Sequence, residues 1–227
     1  MNKKESVVNK GVIMNKKVKI LGICFLIFIL IVVYLLLFFN IFPSKYYTNE
    51  DFSIDTYISL VDYDNDGIDD QTDILNGARN YVLTKPKYKS KYYSGGFPND
   101  EYGVCTDVVV QAFLASGYNL RDLVDQDIRE NREDYNIRVV DKNIDFRRVR
   151  NLEVFFKKYA TSLTTDREEI SKWQGGDIVI FPDHIAIVSD KRNKQGISYI
   201  IHNAGQLNYE EDGMKRYDKI LGHYRWN

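Results

Sequence analysis

The chain has 227 residues and a formal net charge of −1, from 31 Lys and Arg against 32 Asp and Glu, a balance that excludes the basic footprint of a nucleic-acid binder. Only two cysteines are present, which excludes a disulfide-built scaffold, and no internal repeat or low-complexity tract occurs.

Residues 1–19 are a basic tail in which Lys3, Lys4, Lys10, Lys16, Lys17 and Lys19 face one acid, Glu5. Residues 20–42 are uncharged and apolar. A membrane-spanning helix needs about 20 such residues, and the lysines place the tail in the cytoplasm and all that follows outside. A cleaved signal peptide is the competing reading, but the run exceeds a typical signal core and no small-residue cleavage pattern follows it. We therefore expect an uncleaved single-pass anchor in the cell membrane, then a stalk over 43–61 and one extracellular domain.

The segment "DYDNDGIDDQTD" begins at Asp62. Counted from there, Asp62, Asp64, Asp66, Asp70 and Asp73 fall at positions one, three, five, nine and twelve, with Gly67 at six and the Ile68 carbonyl at seven. This is the spacing of a calcium loop, although helical-hand loops carry glutamate at twelve. The alternative is a solvated Asp/Asn-Gly turn. Because six aspartates in twelve residues repel one another without a cation, the expectation is structural Ca2+ over 62–73, with no catalytic metal.

The domain proper, 74–227, starts with a helix to Leu83 whose Ile74, Ala78, Tyr81 and Val82 share a face. Residues 85–102 read as loop. A helix is expected from Cys105 to Ser116, closed by Gly117, then a more polar one over 120–131 and a third capped by Asn151, burying Leu152, Phe155, Phe156 and Tyr159. From Gly175 the texture becomes "GGDIVIF", "HIAIVSD" and "GISYIIHNAG", short β-branched runs between turn residues that predict antiparallel strands. Helices first and strands later predict an α+β domain, helices packed on an antiparallel sheet.

Two of the three histidines, His184 and His202, lie on adjacent predicted strands. A turn centred on Asn193 pairs Val188 with Ser198 and His184 with His202, side by side on one face; a slip of one residue would separate them. Cys105 opens a helix, where unpaired N–H groups and the helix dipole favour thiolate. Cys24 lies in the expected span, so Cys105 is a free thiol outside the cell, where unpaired thiols are uncommon. A buried packing cysteine is the plainer alternative. Cys105, His184 and His202 fit nucleophile, base and orienting group if that helix packs on that face.

The ordered set Cys105, "WQGGDIVIF", "HIAIV" and "YIIHNAG" resembles the NlpC-type branch of papain-like cysteine peptidases. With "NIDFRRVRNL" and "GHYR" added, the chain from Asp62 onward resembles more closely a bacterial family labelled only as a domain of unknown function, number twelve-eighty-seven. The resemblance implies a papain-like core with Cys105 as nucleophile, His184 as base and His202 as orienting residue, Asn203 being the competing third member. It matches Tyr93 to a tyrosine that assists the oxyanion site, and it implies action on cell-wall (peptidoglycan) peptides. NlpC enzymes carry an acid before the nucleophile, whereas here Asp107 follows it, which unsettles any transfer of specificity. Arg147 and Arg148 are expected to pair with Asp141 and Asp145. The leading reading is an extracytoplasmic cysteine peptidase or amidase; the alternatives are a non-catalytic, calcium-braced binding domain and a thiol acyltransferase.

Overall fold

A computed structural model of the protein describes residues 3–38 and 45–226. They belong to two units, Met1–Ser44 and Lys45–Asn227. The first is the helix α1 (Lys3–Phe38). Its stretch Lys16–Leu36 has a mean hydropathy of 2.9 and is long enough to cross a membrane. A helix of this kind near an N-terminus serves as an anchor or a signal sequence. Residues 39–42 of the expected span lie outside the described residues.

In the second unit, α2 (Asp70–Leu83) begins earlier than expected because Asp69 caps it, accepting from the Thr72 N–H at 3.3 Å and the Thr72 hydroxyl at 2.5 Å. Two-residue strands β1 (Lys87–Tyr88) and β2 (Tyr102–Gly103) pair in parallel within the expected loop. Then come α3 (Cys105–Ala115), α4 (Leu120–Glu130) and α5 (Val149–Tyr159). Asn151 does not cap α5. The helix starts two residues earlier, and the Asn151 amide instead donates to the Asp145 carbonyl at 2.9 Å. Leu152, Phe155 and Phe156 are buried as expected, but Tyr159 is exposed and its hydroxyl donates to Asp127.

Six strands form one antiparallel sheet: β3 (Thr161–Ser162), β4 (Ile178–Phe181), β5 (His184–Arg192), β6 (Ser198–Ile201), β7 (Glu210–Glu211) and β8 (Gly222–Arg225), in the order β3-β8-β4-β5-β6-β7. The domain is α+β. Strand alternation divides its core. Ile178, Ile180, Ile185, Ile187 and Ile201 meet the helices, while Val179, Phe181, Ala186, Val188 and Ile200 meet Trp173, Met214 and Ile220 on the opposite face.

The segment 45–61 is not a free stalk. Tyr47 bridges Arg192, and Asn49 is buried, donating to Gln174 at 2.9 Å and accepting from the Arg192 guanidinium at 2.6 Å. The cause is Arg192 itself. It is fully buried, and Asn49 joins the carbonyls of Ile170, Trp173 and Gly196 in satisfying its donors.

Helix α3 packs on both α2 and β5, and α2 approaches it closely at Gly77. A Cβ there would lie 2.5 Å from Ala115 Cβ and 3.0 Å from Ala112 Cα. Overpacking of this kind costs about 1–3 kcal/mol, against the roughly 1 kcal/mol that alanine gains in helix propensity. Gly77→Ala should therefore lower the melting temperature; a rise would show that the two helices are not held this close.

Candidate active site

Cys105 is the first residue of α3 because Val104 stays extended and Asp107 folds back to accept the Val104 N–H at 2.8 Å. Behind it Val108, Val109, Ala112 and Phe113 are wholly buried. The thiol is 7% exposed. Burial pushes its pKa up to about 11, against the opposing pull of the Ile185, Thr106 and Cys105 N–H groups. Sequence reasoning expected the helix start to lower it. Desolvation of the charged form outweighs those N–H groups.

The histidine pair forms, by a different register from the one expected. Val188 pairs with Ile200 and Ile187 with Ile201, and the register shifts between Val188 and Arg192. Continuing the main register puts Ala186 opposite His202, so the two histidines are diagonal neighbours. An offset of two residues keeps both on one face, that of Phe181, Ala186 and Val188. Helix α3 with Cys105 packs on Ile185 and Ile187 of the other, so the expected packing of this helix on the histidine face does not form. His184 Nε2 and His202 Nδ1 are 2.7 Å apart with the rings at 79°. His202 Nε2 then meets Glu211 Oε1 at 3.2 Å, and Arg216 donates to the same oxygen at 2.5 Å. Ring contacts fix His184: Tyr217 lies parallel to it, 5.1 Å away, and stacks on Phe181 at 4.0 Å. Burial, then the neighbouring His202, push the His184 pKa down to about 3. The thiol takes its N–H bond from Ile185, the residue after His184. Among the described residues no direct hydrogen bond joins the sulfur to either ring.

Asn203, on the opposite face of its strand, donates to the carbonyls of Pro86 at 2.8 Å and Gly103 at 3.1 Å. It thus pins the segment entering α3 and does not touch His184. The Tyr93 hydroxyl donates to Asp100 at 2.7 Å, and its ring centroid lies 5.1 Å from the Arg147 guanidinium. The expected oxyanion role thus finds that hydroxyl already committed to Asp100. Arg147 does not pair with Asp141 or Asp145. It binds Asp107 through two hydrogen bonds of 2.6 and 2.8 Å, both side chains buried, because this buried acid needs a partner out of water. Arg148 meets Asp145 at 3.4 Å, half exposed.

In the acidic loop, Asp62, Asp64 and Asp66 each bring an oxygen within 4.8 Å of the others. Asp70 lies outside that group, its two oxygens accepting from the Tyr63 N–H at 2.8 Å and the Tyr118 hydroxyl at 2.6 Å; within the group Asp62 accepts from the Asp66 and Gly67 N–H groups at 3.1 and 3.0 Å. Asp73 is buried, and burial followed by Asp66 and Asp64 pushes its pKa up to about 6. Ile68 is exposed.

Sequence reasoning missed Glu211, Arg216 and Tyr217. Glu211 has a sequence signal in principle, an acid nine residues past His202, but a two-residue strand carries no periodicity to place it.

This α+β domain presents a buried thiol at a helix start, bonded by the N–H of the residue after His184, and a strand-borne pair of histidines in contact with each other. The family model described as Domain of unknown function (DUF1287) matches residues 75–226, and the chain belongs to that family. Among curated proteins it resembles Uncharacterized protein YijF of Escherichia coli (strain K12), at 35% identity over 166 residues, covering 67% of this chain and 80% of that protein. No solved structure matches.

The depressed His184 pKa has a stability consequence. Between about 3 and the ordinary 6.5 the unfolded chain binds a proton that the folded chain does not, so stability rises with pH through this window and levels off above it. His184→Asn should remove part of the loss in melting temperature between pH 6.5 and 4. An unchanged slope would show that this imidazole is not held neutral.

Proposed function

We propose that this protein is a membrane-anchored extracytoplasmic cysteine hydrolase that cleaves amide bonds in cell-wall peptides. The observation that carries the reading is the polar file His184–His202–Glu211–Arg216, which begins one residue before Ile185, whose N–H bonds the Cys105 sulfur. A carboxylate only accepts, so His202 donates to Glu211 from Nε2 and its Nδ1 accepts from His184 Nε2–H. Nδ1 of His184 is then left with its lone pair, the state a general base needs.

In this reading, the Cys105 sulfur attacks the scissile carbonyl as its proton passes to His184 Nδ1. The Cys105 and Thr106 N–H groups at the start of α3, which bond the sulfur at rest, turn to the oxyanion. The C–N bond breaks, the amine leaves with the proton from His184, and a thioester remains. Water, giving its proton to His184, attacks the thioester and releases the carboxylic acid and the thiol. His202 and Glu211 position the base and spread the imidazolium charge. The N-terminal helix, with its lysine-rich flank inside, holds the domain at the wall. Cell-wall peptides as the substrate class rest on the resemblance to NlpC-type peptidases, an analogy of fold and site.

The test uses the full chain in detergent, incubated with muropeptides, with products read by mass spectrometry. Cys105→Ser should lower turnover by at least about 10³-fold with the fold unchanged, since a serine hydroxyl is a far poorer nucleophile in an otherwise isosteric site. Equal turnover by both proteins overturns the assignment of the nucleophile, and no turnover by the wild type on a broad panel favours a binding domain. Products joined to an added amine would identify acyl transfer. Glu211→Gln should lower kcat by on the order of 10²-fold or more and alter the pH profile, because glutamine also donates and permits the wrong tautomer. A change in KM alone would mark Glu211 as structural.

A further inference from the structure

The loop 62–73 stands immediately before the span matched by the family, 75–226, and nothing in the proposed chemistry uses it. It is closed by the Asp70 N–H donating to the Val61 carbonyl at 2.9 Å. It seats on the turn after α3, where a Cβ on Gly117 would lie 3.0 Å from Asp64 Cβ and 3.1 Å from the Tyr63 ring. The Tyr63 ring stacks on Tyr118 at 4.3 Å.

Its six aspartates divide by what their oxygens do. Asp69 caps α2 and also accepts from the Ser59 N–H at 2.8 Å. Asp70 is taken by Tyr63 and Tyr118. These two belong to the fold. Asp62, Asp64 and Asp66 converge, one oxygen each within 4.8 Å of the others, a spread that suits ligands about 2.3–2.6 Å from a shared calcium ion. Convergence alone is common on acidic surfaces. Asp73 supplies the independent observation: it is 6% exposed, and its Oδ2 is buried with no hydrogen-bond partner. The charges acting on it most strongly are those of Asp66 and Asp64. Leaving a carboxylate oxygen buried and unmatched costs more than the roughly 1–3 kcal/mol of a neutral group. The other five aspartates of the loop each accept from at least one N–H or hydroxyl, and the charges that act on Asp73 are those of further carboxylates.

We infer that Asp62, Asp64, Asp66 and Asp73 bind one Ca2+ ion, with the carbonyl of Ile68 and water completing its shell. The ion replaces the missing donor at Asp73, cancels the repulsion among the four carboxylates, and ties the start of α2 to the end of α3.

The test is calorimetric titration of chelator-stripped full-length protein in detergent with CaCl2, together with melting temperatures followed by near-ultraviolet circular dichroism. One ion should bind per chain, and the melting temperature should climb with calcium concentration, as a ligand specific to the folded state requires. Asp73→Asn separates a ligand from a structural acid by sign. In chelator it should melt at or above wild type, because a repelled buried charge has gone. In calcium it should melt below wild type and bind at least about tenfold more weakly. Asp64→Asn, at an exposed position, should lose affinity likewise. No heat and no thermal shift up to millimolar calcium overturns the inference. So does an Asp73→Asn protein that melts lower in chelator yet binds calcium as wild type does. An equal response to magnesium at the same concentrations overturns the choice of calcium.

Discussion

The ion pair between Asp107 and Arg147 decides where the thiol stands. Both side chains are almost wholly out of water, and a charged pair in that position is tolerated only when its remaining donors and acceptors are also matched. Here they are. Asp107 also accepts the Val104 N–H, Arg147 also donates to the Lys91 carbonyl at 2.8 Å, and the Thr106 hydroxyl reaches the Arg147 carbonyl at 3.2 Å. Two separate stretches, around Lys91 and Arg147, are thereby locked to the first turn of α3. Removing either partner would leave an uncompensated charge beside Cys105, a loss on the order of 3–5 kcal/mol. The same pair explains why the acid follows the cysteine: at the third residue of the helix it caps the turn and receives the arginine at once.

Desolvation acts on the thiol and on His184 in opposite senses with one result. It raises the first to about 11 and lowers the second to about 3, so each is held neutral. A preformed thiolate–imidazolium pair, the state suggested by a helix-start cysteine, is therefore not what this site stores. In the proposed reaction charge arises only as the proton moves, and the file through His202 to Glu211 gives it somewhere to spread. Arg216, part exposed, carries the far end of that file toward solvent. The apolar rings of Phe181 and Tyr217 against His184 keep the near end dry.

What the sequence made legible follows from which signals are local. Strand alternation and β-branched runs located β4, β5 and β6, and the apolar stripes located α2, α3 and α4. The relation of His184 to His202 survived an incorrect register because the error was two residues and strand faces repeat every two. That error arose because buried Arg192 draws β5 two residues further than "HIAIVSD" suggests, and no local pattern announces a buried arginine. Long-range partners were invisible for the same reason. Arg147 finds Asp107 at a separation of 40 residues, and Asn49 finds Arg192 and Gln174 from a segment whose composition reads as linker. Glu211 depends on a strand of two residues, too short to carry a period.

Adjacent residues of one strand end join the two halves of the site. His202 and Asn203 project to opposite faces, as alternation requires. His202 reaches back along one face to His184. Asn203, fully buried on the other, holds the carbonyls of Pro86 and Gly103, and Gly103 is two residues from Cys105. His184 is thus oriented and the start of α3 at Cys105 is anchored from a single dipeptide, so their separation is set by the width of a strand rather than by a flexible loop. Slipping this strand by one residue would exchange the two side chains, leaving His184 without a partner and the entry to α3 without its amide. That double penalty makes the register of β6 at this point a condition of the site as well as of the core. It also explains why His202, and not Asn203, reaches His184, although the expected pairing across the hairpin does not form.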